Sequence, residues 1–498
     1  MRRAVQHDVL LAATAALGVL LVHDLGYVLH HPFWLDEAWV VDSTRVRLAD
    51  LAQATASSPV GFSLLLRLPM LGGEQRQRLI PLAFAAATVS LAYLCGRQLG
   101  LRRSLSFLTL ALPALMVPAL LVRNDLKQYT AEAFWSLLVL LLLLRLECDW
   151  GRRRLVLLAV AVGLGPLFAY AALFVGSAAL VAVAVTTLYE RRWSRLREVG
   201  VAGLGALLLV ILGLVVFVLP KQNPALTHYW DGYYLPTDTS LAWAFLVDRL
   251  QAVAPTTGLG SVPLVLLGCS VGTAGLLLRR RRASALLLPL AFAGAMLAGA
   301  LHLYPLLDLR TSTWLSVLAL VLTGLGVGQL CQHLPVRRRG AAVALAALAG
   351  LGFTSGNLGE VRSHHLADED VRAQTRYVQQ HRQPGDVVVV DLTANYGYGY
   401  YAGIRPLPIM HSPLVATGFL VRLDDPQVLA MTTQARDAPA QAVRAAAARL
   451  GPHGQVFLVR THVGAFEGIG WREALSGRSV TALPVGPEPL LVLPPTAP

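Results

Sequence analysis

Apolar stretches of about 20 residues recur through this chain, and arginine clusters fall between every second pair of them. A stretch of about 20 apolar residues is long enough to cross the hydrocarbon core of a bilayer. Hydrocarbon offers a backbone no hydrogen-bond partners, so such stretches are restricted to helices. The candidates are residues 9–29, 79–96, 104–122, 130–146, 155–170, 172–189, 200–219, 262–278, 284–302, 314–331 and 340–354, eleven in all. The pair at 155–189 is split after Gly165-Pro166; read as one long span, it would change the count by one. The chain is 55% hydrophobic and only 14% charged, which a soluble fold of 498 residues does not tolerate.

The arginines give the orientation. Arg2-Arg3, Arg97/Arg102/Arg103, Arg152–Arg154, Arg191/Arg192/Arg195/Arg197, Arg279–Arg282 and Arg337–Arg339 all fall in alternate loops. The positive-inside rule puts them in the cytoplasm, and an odd number of spans then delivers the C-terminus outside. The first span is long and no small-residue cleavage site follows it before His30-His31-Pro32, so it reads as uncleaved. A multi-pass protein of the plasma membrane is expected, with its N-terminus cytoplasmic.

The net charge of +13 belongs to topology rather than to nucleic acid. From Phe353 onward 12 Arg face 12 Asp plus Glu, so the whole excess lies earlier, in the short arginine loops. The four cysteines, Cys95, Cys148, Cys269 and Cys331, lie in or beside apolar runs and form neither a disulfide framework nor a CxxC spacing.

Three segments on the outside are long: about 30–78, 220–261 and 355–498. In the first, Leu48–Leu71 is too polar to span and suits interfacial helices. The last reads as a domain. Asp368-Glu369-Asp370 opens a helical pattern to His381, Pro384-Gly385-Asp386 is a turn, and Val387–Val390 is a buried strand. Ala438–Leu450 is helical, Val456–Val459 is a strand, and Leu490–Leu493 suits another. The expected fold class is an α-helical polytopic membrane protein with a small C-terminal exoplasmic α/β domain. Residues 1–354 form the membrane part and 355–498 the outer one.

Four groups carry candidate chemistry. His31-Pro32-Phe33-Trp34-Leu35-Asp36-Glu37-Ala38-Trp39 sets two carboxylates between tryptophans just outside the first span. Tryptophan favours a membrane–water boundary, and a carboxylate there costs free energy unless it is solvated, paired or used. Asp36 and Glu37 are either a solvated loop pair, a catalytic base or a pair that could hold a divalent metal. Arg123-Asn124-Asp125-Leu126-Lys127-Gln128-Tyr129 packs two cations, a carboxylate and a phenol into a short outside turn. Lys127 and Lys221 are the only two lysines in the chain, and both fall outside. A lysine suits a phosphate oxygen; a helix-capping salt-bridge cluster is the alternative. In His302-Leu303-Tyr304-Pro305-Leu306-Leu307-Asp308-Leu309-Arg310, Arg310 either anchors the next span or binds a lipid phosphate. Tyr229-Trp230-Asp231-Gly232-Tyr233-Tyr234 suits a sugar face or an interfacial belt. In the outer domain Tyr396, Tyr398, Tyr400 and Tyr401 cluster after a strand, and the scattered histidines fit no zinc spacing.

Taken together, these residues resemble the GT-C glycosyltransferases, in particular the dolichyl-phosphate-mannose-protein mannosyltransferase-like and lipid A aminoarabinose transferase-like branch. The likeness covers most of residues 1–401, chiefly as architecture, and the acidic pair is its most specific motif. It implies a donor sugar carried on a polyprenyl phosphate. By position Asp36 matches the family's essential acid, with Glu37 beside it; Lys127 and Arg310 match basic positions near the donor phosphate loosely. Arg123 is a third candidate cation there, and Asp125, Tyr129, Tyr304, Tyr400 and Tyr401 would line the cavity. No β-trefoil-type insert is present, which counts against a protein acceptor. The expected activity is an inverting transfer from lipid-phosphate sugar to the hydroxyl of a glycan, lipid or protein. Two competitors differ in class: a transporter or lipid flippase, which would show broken helices or mid-span charges, and a non-catalytic assembly partner, indifferent to neutralising the acidic pair.

Overall fold

A computed structural model describes residues 2–22, 24–55, 58–68, 74–117, 126–335, 338–363 and 369–495. Helix α1 (Arg2–Val22) is followed by several short helices, of which α2 (Leu35–Asp42) and α3 (Val60–Leu66) are the longest. Then come α4 (Leu79–Gln98), α5 (Arg103–Met116), α6 (Tyr129–Cys148), α7 (Arg152–Leu164), α8 (Ala172–Tyr189) and α9 (Trp193–Val218). Next are α10 (Thr239–Val253), α11 (Val262–Leu278), α12 (Arg282–Ala300), α13 (Thr313–His333) and α14 (Arg339–Ser363).

Each of the eleven apolar stretches overlaps one of these helices in its described residues, and a 3₁₀ turn at Gly165–Leu167 separates α7 from α8. Fewer pass a strict test of length and apolarity. Among the described residues six helices do, and a seventh is counted if α10 with its 3₁₀ extension to Thr257 and α11 form one broken span. The two halves of that pair bend by 69°. Pro255 and the positive-φ residues Gly258 and Gly260 explain the break. The helices are thus less regular than the sequence suggests. Phe107–Ala111 in α5 and Leu214–Val218 in α9 are wound as π-helix.

Contacts divide the chain into two compact units. The first holds Met1–Val28, Arg78–Val216 and Trp230–His364. Within it α4 packs on α6, α8 on α12, and α11 on α13. The α11–α13 crossing is close because it is made of glycine: a Cβ at Gly326 would come within 2.7 Å of the Gly272 nitrogen. Small residues are the usual means of bringing helices together in lipid. Leu204, Leu208 and Leu212 of α9 are exposed, as suits a lipid-facing surface. Asp8 ties α1 to its neighbours, accepting from Arg97 Nε at 3.1 Å and Arg103 Nε at 2.7 Å.

The second unit holds Leu29–Gln77, Phe217–Tyr229 and His365–Pro498. Its elements after the membrane part are α15 (Val371–His381), β1 (Val387–Val390), α16 (Ala394–Tyr401), β2 (Ile409–His411), β3 (Phe419–Val421), β4 (Val428–Ala430), α17 (Ala438–Ala447), β5 (Val456–Val459), α18 (Ala465–Leu475), β6 (Thr481–Leu483) and β7 (Leu490–Leu493). The main sheet runs β4-β1-β5-β7-β6, with β1 parallel to both β4 and β5, and β7 antiparallel to β5 and β6. β2 and β3 form a separate antiparallel pair. β1 is four valines, all fully buried, the composition of a central parallel strand covered on both faces. Val388 and Val390 face α15 and α16, while Val387 and Val389 face α17 and Trp471 of α18. Each such valine contributes roughly 1.5–3 kcal/mol, and a charge at any of them would break the sheet. Asp370 caps α15, accepting from Ala373 N at 2.9 Å.

Candidate active site

Asp36 and Glu37 occupy the first turn of α2, where the positive end of the helix favours anions. The helix starts at this point because Trp34 is extended and its carbonyl accepts from Glu37 N and Ala38 N. Trp34 supplies no side-chain cap, so the free N–H groups need another acceptor. Glu369 provides it, taking the Leu35 N–H on Oε2 at 2.9 Å. Its other oxygen lies 2.8 Å from His462 Nδ1. That hydrogen bond is the main cause of a raised His462 pKa; burial opposes it, and the charges of Glu369, Asp36 and Glu488 add to it.

The same segment is held at three further points. The Phe33 N–H donates to the Tyr401 hydroxyl at 2.8 Å. Arg45 donates to the carbonyls of Tyr400 and Ile404 at 2.6 and 2.8 Å and lies 4.6 Å from the centre of the Tyr400 ring. Phe33 meets that ring edge-on at 5.3 Å. So Asp36, Glu37, Tyr400 and Tyr401 belong to one unit. Asp36 is half-buried, with Trp39 Nε1 3.4 Å from its Oδ1, whereas Glu37 is fully buried. Side chains at successive helix positions diverge by about 100°. Among the described residues no group of three His, Cys, Asp or Glu is arranged to hold a metal.

Sequence reasoning missed two groups in this unit besides Glu369 and His462. Asp42, at the far end of α2, is fully buried, and neither of its oxygens has a hydrogen-bond partner among the described residues. Burial pushes its pKa well above the usual carboxylate range, against the pull of Arg45. Asp391, directly after β1, accepts from Ala394 N, Thr393 Oγ1 and Thr461 N. The available signal for Asp42 was its place at the end of an apolar run, three residues before an arginine.

The described cationic candidates, Lys127 and Arg310, lie in the helical unit. Arg123 and Asp125 fall outside the described residues. Lys127 and Tyr129, at the start of α6, are 4% and 5% exposed. Arg310 is half-buried in the turn before α13, where Asp308 Oδ2 accepts its N–H and that of Thr311. The Tyr304 hydroxyl donates to the Thr311 carbonyl at 3.1 Å. The pKa of this phenol is raised, first by burial and then by Glu132, Tyr129 and Asp308, so these four groups share one neighbourhood. Glu132 is the residue sequence reasoning overlooked here. It is 1% exposed, and its Oε2, with Gln128 Oε1 and Thr130 Oγ1, is buried without a partner among the described residues.

No family model matches the sequence, and no curated protein matches it. Among solved structures, ArnT from Cupriavidus metallidurans in the apo state aligns with a TM-score of 0.55 at 12% identity, over 99% of this chain and 98% of that one. ArnT from the same organism bound to undecaprenyl phosphate aligns with a TM-score of 0.51 at 13% identity, over 98% of each chain. At these identities the likeness is one of fold, and it runs nearly end to end. The chain has a GT-C-like fold.

Proposed function

We propose that this chain is an integral-membrane, inverting glycosyltransferase. It moves a sugar from a polyprenyl-phosphate donor to the hydroxyl of an exoplasmic glycan, lipid or protein. The observation that carries the reading is the end-to-end likeness of fold to ArnT, one of whose structures holds undecaprenyl phosphate. The placement of Asp36 supports it: a half-buried carboxylate on a short helix anchored at four points. In this reading residues 1–354 are the membrane module, 355–498 the exoplasmic domain, and the N-terminus is cytoplasmic.

The chemistry assigns one role to each group. An acceptor hydroxyl is a poor nucleophile at neutral pH, and Asp36 takes its proton as the oxygen attacks the anomeric carbon. The bond from that carbon to the phosphate oxygen breaks on the opposite face, so the configuration inverts. The lipid phosphate leaves with the electron pair, and Lys127 and Arg310, with Arg123, offset its growing charge. Within their own units Tyr129 and Tyr304, and Tyr400 and Tyr401, are proposed to contact substrate, and buried Glu37 orients rather than reacts.

The test is Asp36→Asn, which keeps size and hydrogen bonding but cannot accept the proton. Transfer per inserted molecule should fall by about 10²–10⁴-fold, the usual worth of a general base, with donor binding nearly unchanged. Normal transfer by well-folded Asp36→Asn would falsify the base assignment. Lipid extracts of cells lacking the protein should accumulate one polyprenyl-phosphate sugar, which names the donor. The 69° break between α10 and α11 favours a second reading, a transporter. Vesicles that move the lipid across the bilayer without any glycosyl transfer would establish it.

A further inference from the structure

In the helical unit a cavity of about 680 Å³ opens where the ends of α6 and α8 meet the starts of α9 and α12. Its walls carry five arginines, Arg192, Arg195, Arg280, Arg281 and Arg282, against three carboxylates. Each carboxylate is already engaged. Glu147 accepts from Ala283 N at 2.8 Å, and from the Ser284 N–H and hydroxyl. Glu190 sits between Arg192 at 2.9 Å and Arg282 at 3.5 Å. Asp149 pairs with Arg154 at 2.5 Å.

Three guanidinium groups make no hydrogen bond to a carboxylate among the described residues, though Arg281 feels the charge of Glu147 and Arg195 that of Glu198. Arg195 lies over the Trp150 ring, 4.8 Å from its centre. Arg281 spends one nitrogen on the Glu147 carbonyl at 2.7 Å, and its Nε is buried without a partner among the described residues. Arg280 is exposed at a left-handed backbone position, φ 57°. An orientation signal accounts for arginines in this loop pair. It does not account for their convergence on a cavity, for a stacked guanidinium, or for a buried N–H left without an acceptor. An anion supplies what is missing: oxygens that take planar, paired N–H donors.

We infer that this cavity binds the phosphate head group of an anionic membrane lipid. Its position at the ends of membrane-crossing helices puts it at head-group depth, where basic pockets between helices hold such lipids. Exposed leucines along α9, Leu204 and Leu208, offer a surface for the acyl chains. The site requires only that these helices cross a bilayer, and it stands whether or not the chain transfers sugar.

The experiment uses the purified full-length protein, relipidated from vesicles of equimolar phosphatidylglycerol and phosphatidylcholine. Native mass spectrometry then reads the retained lipid. Wild type should keep phosphatidylglycerol. Arg195→Gln with Arg280→Asn should hold it about 30-fold more weakly, at about 1 kcal/mol per arginine; asparagine suits the positive φ at 280. Arg102→Gln with Arg338→Gln removes the same charge from two exposed arginines outside the cavity and should change nothing. If the first pair folds poorly, Arg280→Asn alone should weaken retention about fivefold. Equal loss in the control pair, or equal retention of phosphatidylcholine, overturns the inference. So does full displacement of the lipid by millimolar inorganic phosphate, which would make a free anion the ligand.

Discussion

Glu369→Ala removes two contacts at once, and the structure allows their worth to be separated. The bond from Leu35 N–H to Glu369 Oε2 is charge-assisted, and Glu369 is 6% exposed. Losing such a bond costs about 1.5–3 kcal/mol. The His462 contact is worth less, because the His462 side chain is 56% exposed and solvent screens the pair to at most about 1 kcal/mol. The first turn of α2 should therefore open about 2–3 kcal/mol more easily, which is about 30–150-fold faster amide exchange. Hydrogen exchange of the peptide covering residues 34–42, with peptides from β1 and β5 as internal references, measures this directly. Glu369→Gln keeps an acceptor oxygen and should recover more than half of the protection. The His462 share also depends on pH, and its sign follows from the raised pKa. The pairing is complete below the ordinary histidine value near 6.5 and is lost as pH rises through the higher folded value. Protection of residues 34–42 should then decline slightly across that window in wild type and not in His462→Gln. Unchanged exchange of this peptide in Glu369→Ala would refute the capping argument, whatever the fate of activity.

Three further outcomes are expected. Lys127→Ala and Arg310→Ala should raise the donor concentration needed for half-maximal transfer by about tenfold while leaving acceptor dependence alone, and Arg310→Lys should fall short of wild type if its phosphate contact is bidentate; unaltered donor dependence in both returns these residues to structure. Asp42→Asn should leave the protein as stable or more stable at pH 7, because a carboxylate with a raised folded pKa loses stability as pH climbs above its unfolded value of about 3.9; a clear loss in melting temperature at pH 7 would show that the ionised form is needed. Deleting residues 360–498 from a stably inserted protein should abolish transfer, and wild-type turnover in that truncation would separate the outer domain from the chemistry.

Much of this molecule was legible in the sequence, and the exceptions have physical causes. The apolar stretches mark helices because lipid leaves no other choice, and β1 and β5 are legible because four consecutive apolar, largely β-branched residues fit a doubly covered strand. β2, β3, β4 and β6 have three residues each, too few to show a period. Ala394-Asn395-Tyr396-Gly397-Tyr398-Gly399-Tyr400-Tyr401 carries two glycines, which disfavour helix, yet it is helix α16. Packing overrides propensity there: a Cβ on Gly399 would come within 2.7 Å of Val421, and one on Gly397 within 3.0 Å of Val371. Asp36 and Glu37 stood out because charge beside an apolar stretch is conspicuous. Glu369 did not, being one of three acids in a row at the start of a helix that Asp370 caps. His462 lies 93 residues from its carboxylate partner, a separation that no spacing rule reads.

The four anchors on α2 and the residues flanking it explain how a carboxylate can be useful on so short an element. An eight-residue helix is below the length at which a helix holds itself together in water. Left alone it would fray first at its N-terminal turn, which is where Asp36 sits. A general base acts only when it is within hydrogen-bond reach of the proton it takes, and small displacements cost large factors in rate. The contacts that prevent fraying are therefore as much a requirement of the proposed chemistry as the carboxylate. They come from Glu369, Tyr400, Tyr401 and Ile404, all within one 36-residue stretch of the C-terminal part, and from Arg45 reaching out of the loop to meet it. Two of the four are backbone carbonyls, of Tyr400 in the last turn of α16 and of Ile404 three residues beyond it, so they depend on that helix keeping its place rather than on the identity of any side chain. Function in this unit is then sensitive to mutations that shift α16, such as a larger residue at Gly399, even though none of them touches Asp36. The acid, its helix and the domain that follows the last membrane helix form one mechanical piece, and the proposed base is only as well placed as the packing beneath Tyr400.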